Sequence, residues 1–294
     1  MPLKMKNFKF MFLFTLLLLT SCSKDDEEKM EDAGGIGLIS EEEFNAVLPP
    51  TYIQFNETYE KVVKSDKALL HDTSKLSRAI FDEIADANTS SEAPKSDDTD
   101  VFFDLSSSMT KAEWRLVLTS PLEAFNGIPS IQVSYDHAVM FYPCDEDVAF
   151  IGAKASALKH ALWSALMLKN TNEEFAEKMS AARETLTKDK DLKAMNLHNN
   201  AFGIQLGSKF PEASEEQLLV LLLEQNYTMV KNGSNITDKL DALVFLKGKR
   251  QFDMVMEGSL SNPDSGAPWD IKINFSHCWN TVRGRFVMVR GEAL

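Results

Sequence analysis

The chain has 294 residues, 44% of them hydrophobic and 10% aromatic, with 44 acidic against 31 basic side chains. Such a composition folds into one or two globular domains with a core of ordinary size, which excludes wholesale disorder and any need for disulfide or metal staples. The net charge of −13 argues against nucleic acid as a partner, because affinity for phosphates comes from Lys and Arg.

Lys4, Lys6 and Lys9 precede a nearly unbroken apolar run from Phe10 to Leu19, interrupted only by Thr15. This is the pattern of a secretory signal, and the run is too short to span a bilayer. It ends in Leu19-Thr20-Ser21-Cys22, which resembles the lipobox of bacterial lipoproteins. The resemblance implies cleavage before Cys22, acylation of that cysteine with palmitate among the chains, and a membrane held through lipid. An ordinary signal with a chance cysteine is the alternative. Several acyl chains anchor stably where a single chain holds only marginally. Removing residues 1–21 takes away three lysines and no acids, so the mature chain would carry −16. A body so anionic is repelled by anionic lipid, so acyl chains and not a basic face must hold it. Ser23-Lys24-Asp25-Asp26-Glu27-Glu28 resembles the acidic export tag of some Gram-negative lipoproteins, although a solvated tether has a similar composition. The expectation is an outer-membrane lipoprotein exposed at the cell surface, with the periplasmic face as the alternative.

Residues 22–39 are polar and contain Gly34, Gly35 and Gly37, so they read as a tether. Residues 40–87 carry N-terminal helices. Ser40 with Glu43 forms a capping box and Pro49-Pro50 stops the first helix; Tyr52 to Leu70 and Ser74 to Ala87 follow, with Leu76, Ile80 and Ile84 at helical spacing. Residues 88–104 are mostly Ser, Thr, Asp, Asn and Pro and mark a linker. Residues 105–246 form the main helical domain. Thr110 with Glu113 caps a helix that ends before Pro121; Ile131 to Tyr142, Ala153 to Lys169, Thr171 to Leu186 with Thr171 and Glu174 as cap, and about Asp189 to Leu206 are the next helices. Ser214 with Gln217 opens Leu218 to Val230, with Gly233 placed as its stop.

From residue 247 to 294 the period changes. Trp269-Asp270-Ile271-Lys272-Ile273-Asn274-Phe275 alternates, as do Phe252, Met254 and Met256, and Arg285 to Arg290 reads as a third strand. The fold class expected is therefore α+β, a mainly helical domain followed by a small antiparallel β-sheet at the C-terminus. With Cys22 lipidated, Cys144 and Cys278 remain; outside the cytoplasm they either form a disulfide or stay as two thiols.

Three segments carry the candidate chemistry: Ser156 to Trp163, Ala182-Arg183-Glu184, and Met195 to Gly203. The third is physically odd, because Asn196, Asn199 and Asn200 lower helix propensity and need tertiary partners to offset that loss. Helical spacing places Asn196 and Asn200 on one side, and His160, Trp163, Ser164 and Met167 on one stripe of the earlier helix. Two helices each bearing a His and polar groups would face each other across a polar cleft.

These segments resemble an uncharacterised bacterial domain family with the motifs D-A-x-R-H-A-x-W, A-H-E and M-D-L-H-N-N-x-x-G. The resemblance covers roughly residues 105–246 and implies a helical fold with a candidate pocket, but no activity. His160, Trp163, Glu184, His198, Asn199 and Asn200 match the motifs. Ser156, Lys159, Arg183 and Asn196 stand where the family has Asp, Arg, His and Asp. Each lost Asp removes a carboxylate that could orient an imidazole or bind a metal, so a catalytic site here looks depleted.

Two functions stay open on these residues. The first is a non-catalytic surface lipoprotein that binds a small ligand or another envelope protein through the cleft or through Trp269, Phe275 and Trp279. The second is a hydrolase-like enzyme, with or without a metal, using His160, Glu184 and His198, with Asn199 and Asn200 completing the candidate site. Two His and a Glu can satisfy a zinc-type site with one open position, but the chain lacks a local signature such as H-E-x-x-H. There is no phosphate loop and no G-x-S-x-G elbow, so no cofactor is named.

Overall fold

The computed structural model describes residues 36–89, 105–142 and 151–246, with the backbone of three further strands at residues 255–257, 269–274 and 288–291. The expected signal, Cys22, most of the tether, the bulk of the linker, Cys144, His277, Cys278 and Trp279, and the side chains of Trp269 and Phe275, lie outside the described residues. The end of the tether does not: Ile36 and Ile39 are buried and bridge one another across a turn in which Gly37 takes φ +55°. Among the described residues, no helix is long and apolar enough to cross a membrane.

The chain is mostly helical. Helix α1 (Glu41–Ala46) opens on the expected capping box, the Ser40 hydroxyl accepting from the Glu43 N–H while the Glu43 carboxylate accepts from the Ser40 N–H. Helix α2 (Tyr52–Ser65) is shorter than its apolar pattern. Asp66 accepts from the Ala68 N–H at 2.9 Å, and this local bond diverts the chain into a 3-10 turn, Lys67–His71. Helix α3 (Thr73–Thr89) buries Leu76, Ile80 and Ile84 as their spacing requires. Helix α4 (Lys111–Thr119) starts at the Thr110–Glu113 box and stops before Pro121. Pro121 and Pro129 then each begin a new helix, α5 (Pro121–Gly127) and α6 (Pro129–Phe141), since the first helical position needs no N–H.

Helix α7 (Lys154–Asn170) is buried at every position from Ala155 to Met167 and forms the axis of the domain. Around it pack α5, α6, α8 (Glu173–Arg183), α9 (Lys190–Lys209) and α10 (Glu215–Leu223). Thr171 is not the cap of α8. Asn172 accepts from the Phe175 N–H at 2.9 Å, while the Thr171 hydroxyl donates back to the carbonyl of Met167.

The helix expected through Val230 ends at Leu223. Tyr227–Val230 is instead strand β1, paired in parallel with β2 (Leu243–Leu246), from Tyr227 opposite Leu243 to Val230 opposite Leu246. Gly233 accordingly stops no helix; its N–H donates to Asp191 at the start of α9, at 2.7 Å. The local apolar run misleads because strand pairing is decided by a partner outside the sequence window. The expectation of an antiparallel sheet likewise fails for the pair that packs on the helices. Further on, the backbone of β3 (Val255–Glu257), β4 (Trp269–Asn274) and β5 (Met288–Gly291) pairs antiparallel in that order.

One apolar cluster runs from Ile36 through α2, α3 and α4 to Trp163, Met167 and Ile204, so the N-terminal helices share a core with the rest of the body. A second joins α6, α7, α9 and α10, and a third lies beneath β1 and β2. The tightest approach is between α7 and α9. A Cβ at Gly203 would lie 2.0 Å from the carbonyl oxygen of Ala161, whereas at Gly207 the nearest atom would be the Leu168 Cδ2 at 3.0 Å.

Gly203→Ala must therefore push two backbones apart and should cost about 1–3 kcal/mol or more by urea denaturation. Gly207→Ala meets the flexible Leu168 side chain first and the Ala165 carbonyl oxygen at 3.3 Å, a much milder contact, and the better helix propensity of Ala, worth about 1 kcal/mol, should make it far less costly than Gly203→Ala. Equal destabilisation by both would contradict this packing.

Candidate functional site

Four segments meet beside the Gly203 contact: α7, the C-terminal end of α8, α9 and β2. His160 and Ser164, one turn apart on α7, face Asn200 on α9. The Asn200 Oδ1 accepts from the His160 Nδ1–H at 3.2 Å and from the Ser164 hydroxyl at 3.1 Å. An amide oxygen only accepts, so the imidazole proton is fixed on Nδ1. Ser164 Oγ also lies 3.1 Å from Ser180 Oγ on α8, and Ser180 donates to the carbonyl of Ala176.

Glu184 sits just past the end of α8 and is 1% exposed. Its Oε2 accepts from Asn196 Nδ2 at 3.0 Å and from the Thr187 hydroxyl at 2.7 Å, while its Oε1 lies 3.8 Å from His160 Nδ1, beyond hydrogen-bond length. Burial pushes the Glu184 carboxyl above the usual range, with Asn196, Thr187, Arg183 and Lys159 pulling it back. Burial also holds the His160 imidazole well below its ordinary value; the positive charges of Lys159 and Arg183 act in the same direction, and the bond to Asn200 opposes them. At neutral pH His160 is thus an uncharged ring locked in one tautomer.

His198 and Asn199 point elsewhere. His198 Nε2–H donates to the carbonyl of Ala242 at 2.9 Å. The Asn199 side chain clamps Val244 from both directions, Nδ2 donating to its carbonyl and Oδ1 accepting from its N–H, each at 2.9 Å. The expected convergence of five residues is therefore split. His160, Glu184 and Asn200 come together, with Asn196 alongside, whereas His198 and Asn199 fasten α9 to β2. No cleft separates the two helices, because the Gly203 contact closes them backbone to backbone. Among the described residues no three His, Cys, Asp or Glu side chains gather as a metal would require, so His160, Glu184 and His198 do not form the expected ligand set.

A second buried polar group escaped sequence reasoning. The Glu113 carboxylate accepts from the Tyr52 hydroxyl at 2.5 Å and from the Thr110 N–H at 2.6 Å, and the Arg183 guanidinium lies 3.6 Å away. Arg183 also donates to the carbonyl of Ser108 at 3.3 Å. This cluster ties α2, α4 and α8 together. Only the capping role of Glu113 was visible locally; its bond to Tyr52 crosses 61 residues of chain.

The fold and the junction define a helical domain organised around a buried His/Glu/Asn network. Residues 114–231 match the model of a family described as a domain of unknown function, DUF6973. The matched span runs from Trp114 in α4 to the end of β1 and contains the whole of α7, α8 and α9. No curated protein and no solved structure matches the chain.

Two measurements test the junction. Asn199→Ala leaves the N–H and C=O of Val244 without partners and should cost about 2–5 kcal/mol, whereas Leu197→Ala on the exposed side of the same helix should cost under about 1. Below pH about 6.5 the unfolded chain protonates an imidazole that the folded protein keeps neutral, so His160 makes stability fall as pH falls, by up to about 1.4 kcal/mol per unit. Glu184 has the opposite sign: its raised value removes stability as pH rises from about 4.5 through that value. The difference in stability between wild type and His160→Gln isolates the histidine and should shrink on acidification from about pH 7 to 5; a constant difference would contradict the buried neutral ring.

Proposed function

We propose that this protein is a lipid-anchored envelope protein that acts by binding a small ligand or another envelope protein, and that its His/Glu/Asn network is a structural junction and not a catalytic centre. The observation that carries this reading is the use of the motif side chains on the protein's own structure: Asn199 and His198 hold the backbone of β2, and Asn200 holds His160 and Ser164. A general base needs a substrate proton within reach, and His160 is buried behind Asn200 and does not line the open groove between α8 and α9. Motif departures point the same way, since Asn196 offers Glu184 a neutral donor where the resembling family has an Asp.

The anchor rests on Cys22 and the acidic residues behind it, and places the body at the outer membrane, facing the cell surface or, as the alternative, the periplasm. A surplus of acids keeps such a body soluble and away from anionic lipid and nucleic acid. The competing reading, a hydrolase using His160, Glu184 and His198, draws on the closeness of His160 to Glu184 but needs His198 to leave Ala242.

Cys22→Ala should abolish incorporation of labelled palmitate and move the protein from the membrane fraction to the soluble one, while protease added to intact cells should remove the wild-type protein. Retention of label by Cys22→Ala would remove the anchor from this account. Survival on intact cells but digestion after the outer membrane is opened would move the body to the periplasmic face.

A further inference from the structure

Outside the sealed junction, α8 and α9 form the two walls of an open groove of about 430 Å³, within the range of small-molecule sites. Glu173, Glu177 and Ser180 line it from α8, and Leu197, Asn200, Ala201 and Ile204 from α9, with Leu240 beside them. The short connection at residues 184–189 makes the helices antiparallel, so the groove runs along both of them. At its inner end stands Asn200, 2% exposed. The Asn200 Oδ1 is turned to His160 and Ser164, but its Nδ2 is buried without a hydrogen-bond partner. Leaving a buried donor unpaired is costly, and such groups are rare enough to require an explanation. At the other end Glu173 and Glu177 are exposed and have no cationic partner among the described residues, while neighbouring Glu174 is paired with Lys178 at 2.6 Å.

These features specify an occupant. The orphan Nδ2 calls for an acceptor oxygen; the two carboxylates call for a cation; Ala201 and Ile204, on the stretch of α9 that runs from Asn200 alongside Glu177 and Glu173, call for an apolar stem. Ser180 marks the level of Asn200, so Glu177 and Glu173 lie about 5 and 10 Å further along the axis. That is comparable with the reach of a long basic side chain, whose methylenes lie on apolar surface while the charged head meets acid. We propose that this groove binds an arginine or lysine residue of a short basic peptide, its main-chain carbonyl accepting from Asn200 Nδ2 and its cation meeting Glu177 and Glu173. The inference deepens the reading of the chain as a binding protein and rests on it. It also gives Asn200 two roles, one arm holding the junction and the other facing the ligand.

The test uses the full mature chain and N-acetyl-arginine N-methylamide as probe, followed by calorimetry and by amide NMR shifts. The expected result is saturable binding with Kd on the order of 1 mM. The uncharged citrulline counterpart should bind at least about tenfold more weakly, and Glu173→Gln with Glu177→Gln should weaken the arginine probe about 5- to 10-fold. Ala201→Trp, a change on the exposed face that fills the groove without touching the network, should abolish binding. Absence of saturable binding to the wild type, equal binding of the citrulline probe, or undiminished binding to Ala201→Trp would each overturn the proposal. Conversion of the probe to N-acetyl-arginine would overturn the non-catalytic reading alone, whereas an inert probe that fails to bind overturns the groove and leaves the anchored binding protein standing.

Discussion

The contact of Gly203 with the backbone of Ala161 is the constraint on which the interior depends. With no side chain between them, α9 lies against α7 closely enough for short polar side chains to meet directly, so Asn200 can reach His160 and Ser164. The same approach buries the side chains beside it, His160, Glu184 and Asn200. Burial then determines the electrical state of everything nearby: the imidazole is kept neutral and the Glu184 carboxyl is pushed upward. A polar interior of this kind is tolerable because most of its atoms bond to one another; Asn200 Nδ2 and Asn196 Oδ1 are the two atoms of this network left buried without a partner.

The motif residues work by joining elements that share no local sequence. Asn199 gives β2 the two main-chain bonds that another strand would supply at that residue, so a two-stranded sheet can end on a helix. His198 fixes the chain just before that strand at Ala242. Arg183, Glu113 and Tyr52 perform the same task at the other face, where α2, α4 and α8 meet. Polar residues in a helix interior therefore need not announce a reaction; here they specify which element docks where. The atoms left over, such as Asn200 Nδ2, carry more functional information than those that are matched.

Much of the helical order was legible. Capping boxes at Ser40, Thr110 and Ser214 mark helix starts because the side chain and the N–H it satisfies are three residues apart. The burial of α7 follows from the apolar residues on most of its surface, with Ser156, Lys159, His160 and Ser164 buried among them. Other features were not legible, for a consistent reason. Asp66 and Asn172 changed helix boundaries through competing local bonds, and β1 became a strand because β2, sixteen residues along, offered a partner. In the site, His160, Glu184 and Asn200 converge as their motifs suggested, but helical spacing alone could not reveal that His198 and Asn199, two and one positions before Asn200, turn to a different neighbour.

The sequence by itself determined the acidic, core-forming composition, the helix starts and the existence of polar side chains that required buried partners, because these are properties of neighbours along the chain. Only the tertiary structure decided which partners they found. Hydrogen bonds such as Tyr52 to Glu113 or Asn199 to Val244 join residues separated by 61 and 45 positions. Their geometry is set by how closely whole helices pack, and at α7 and α9 that distance was decided by the missing side chain of a single glycine.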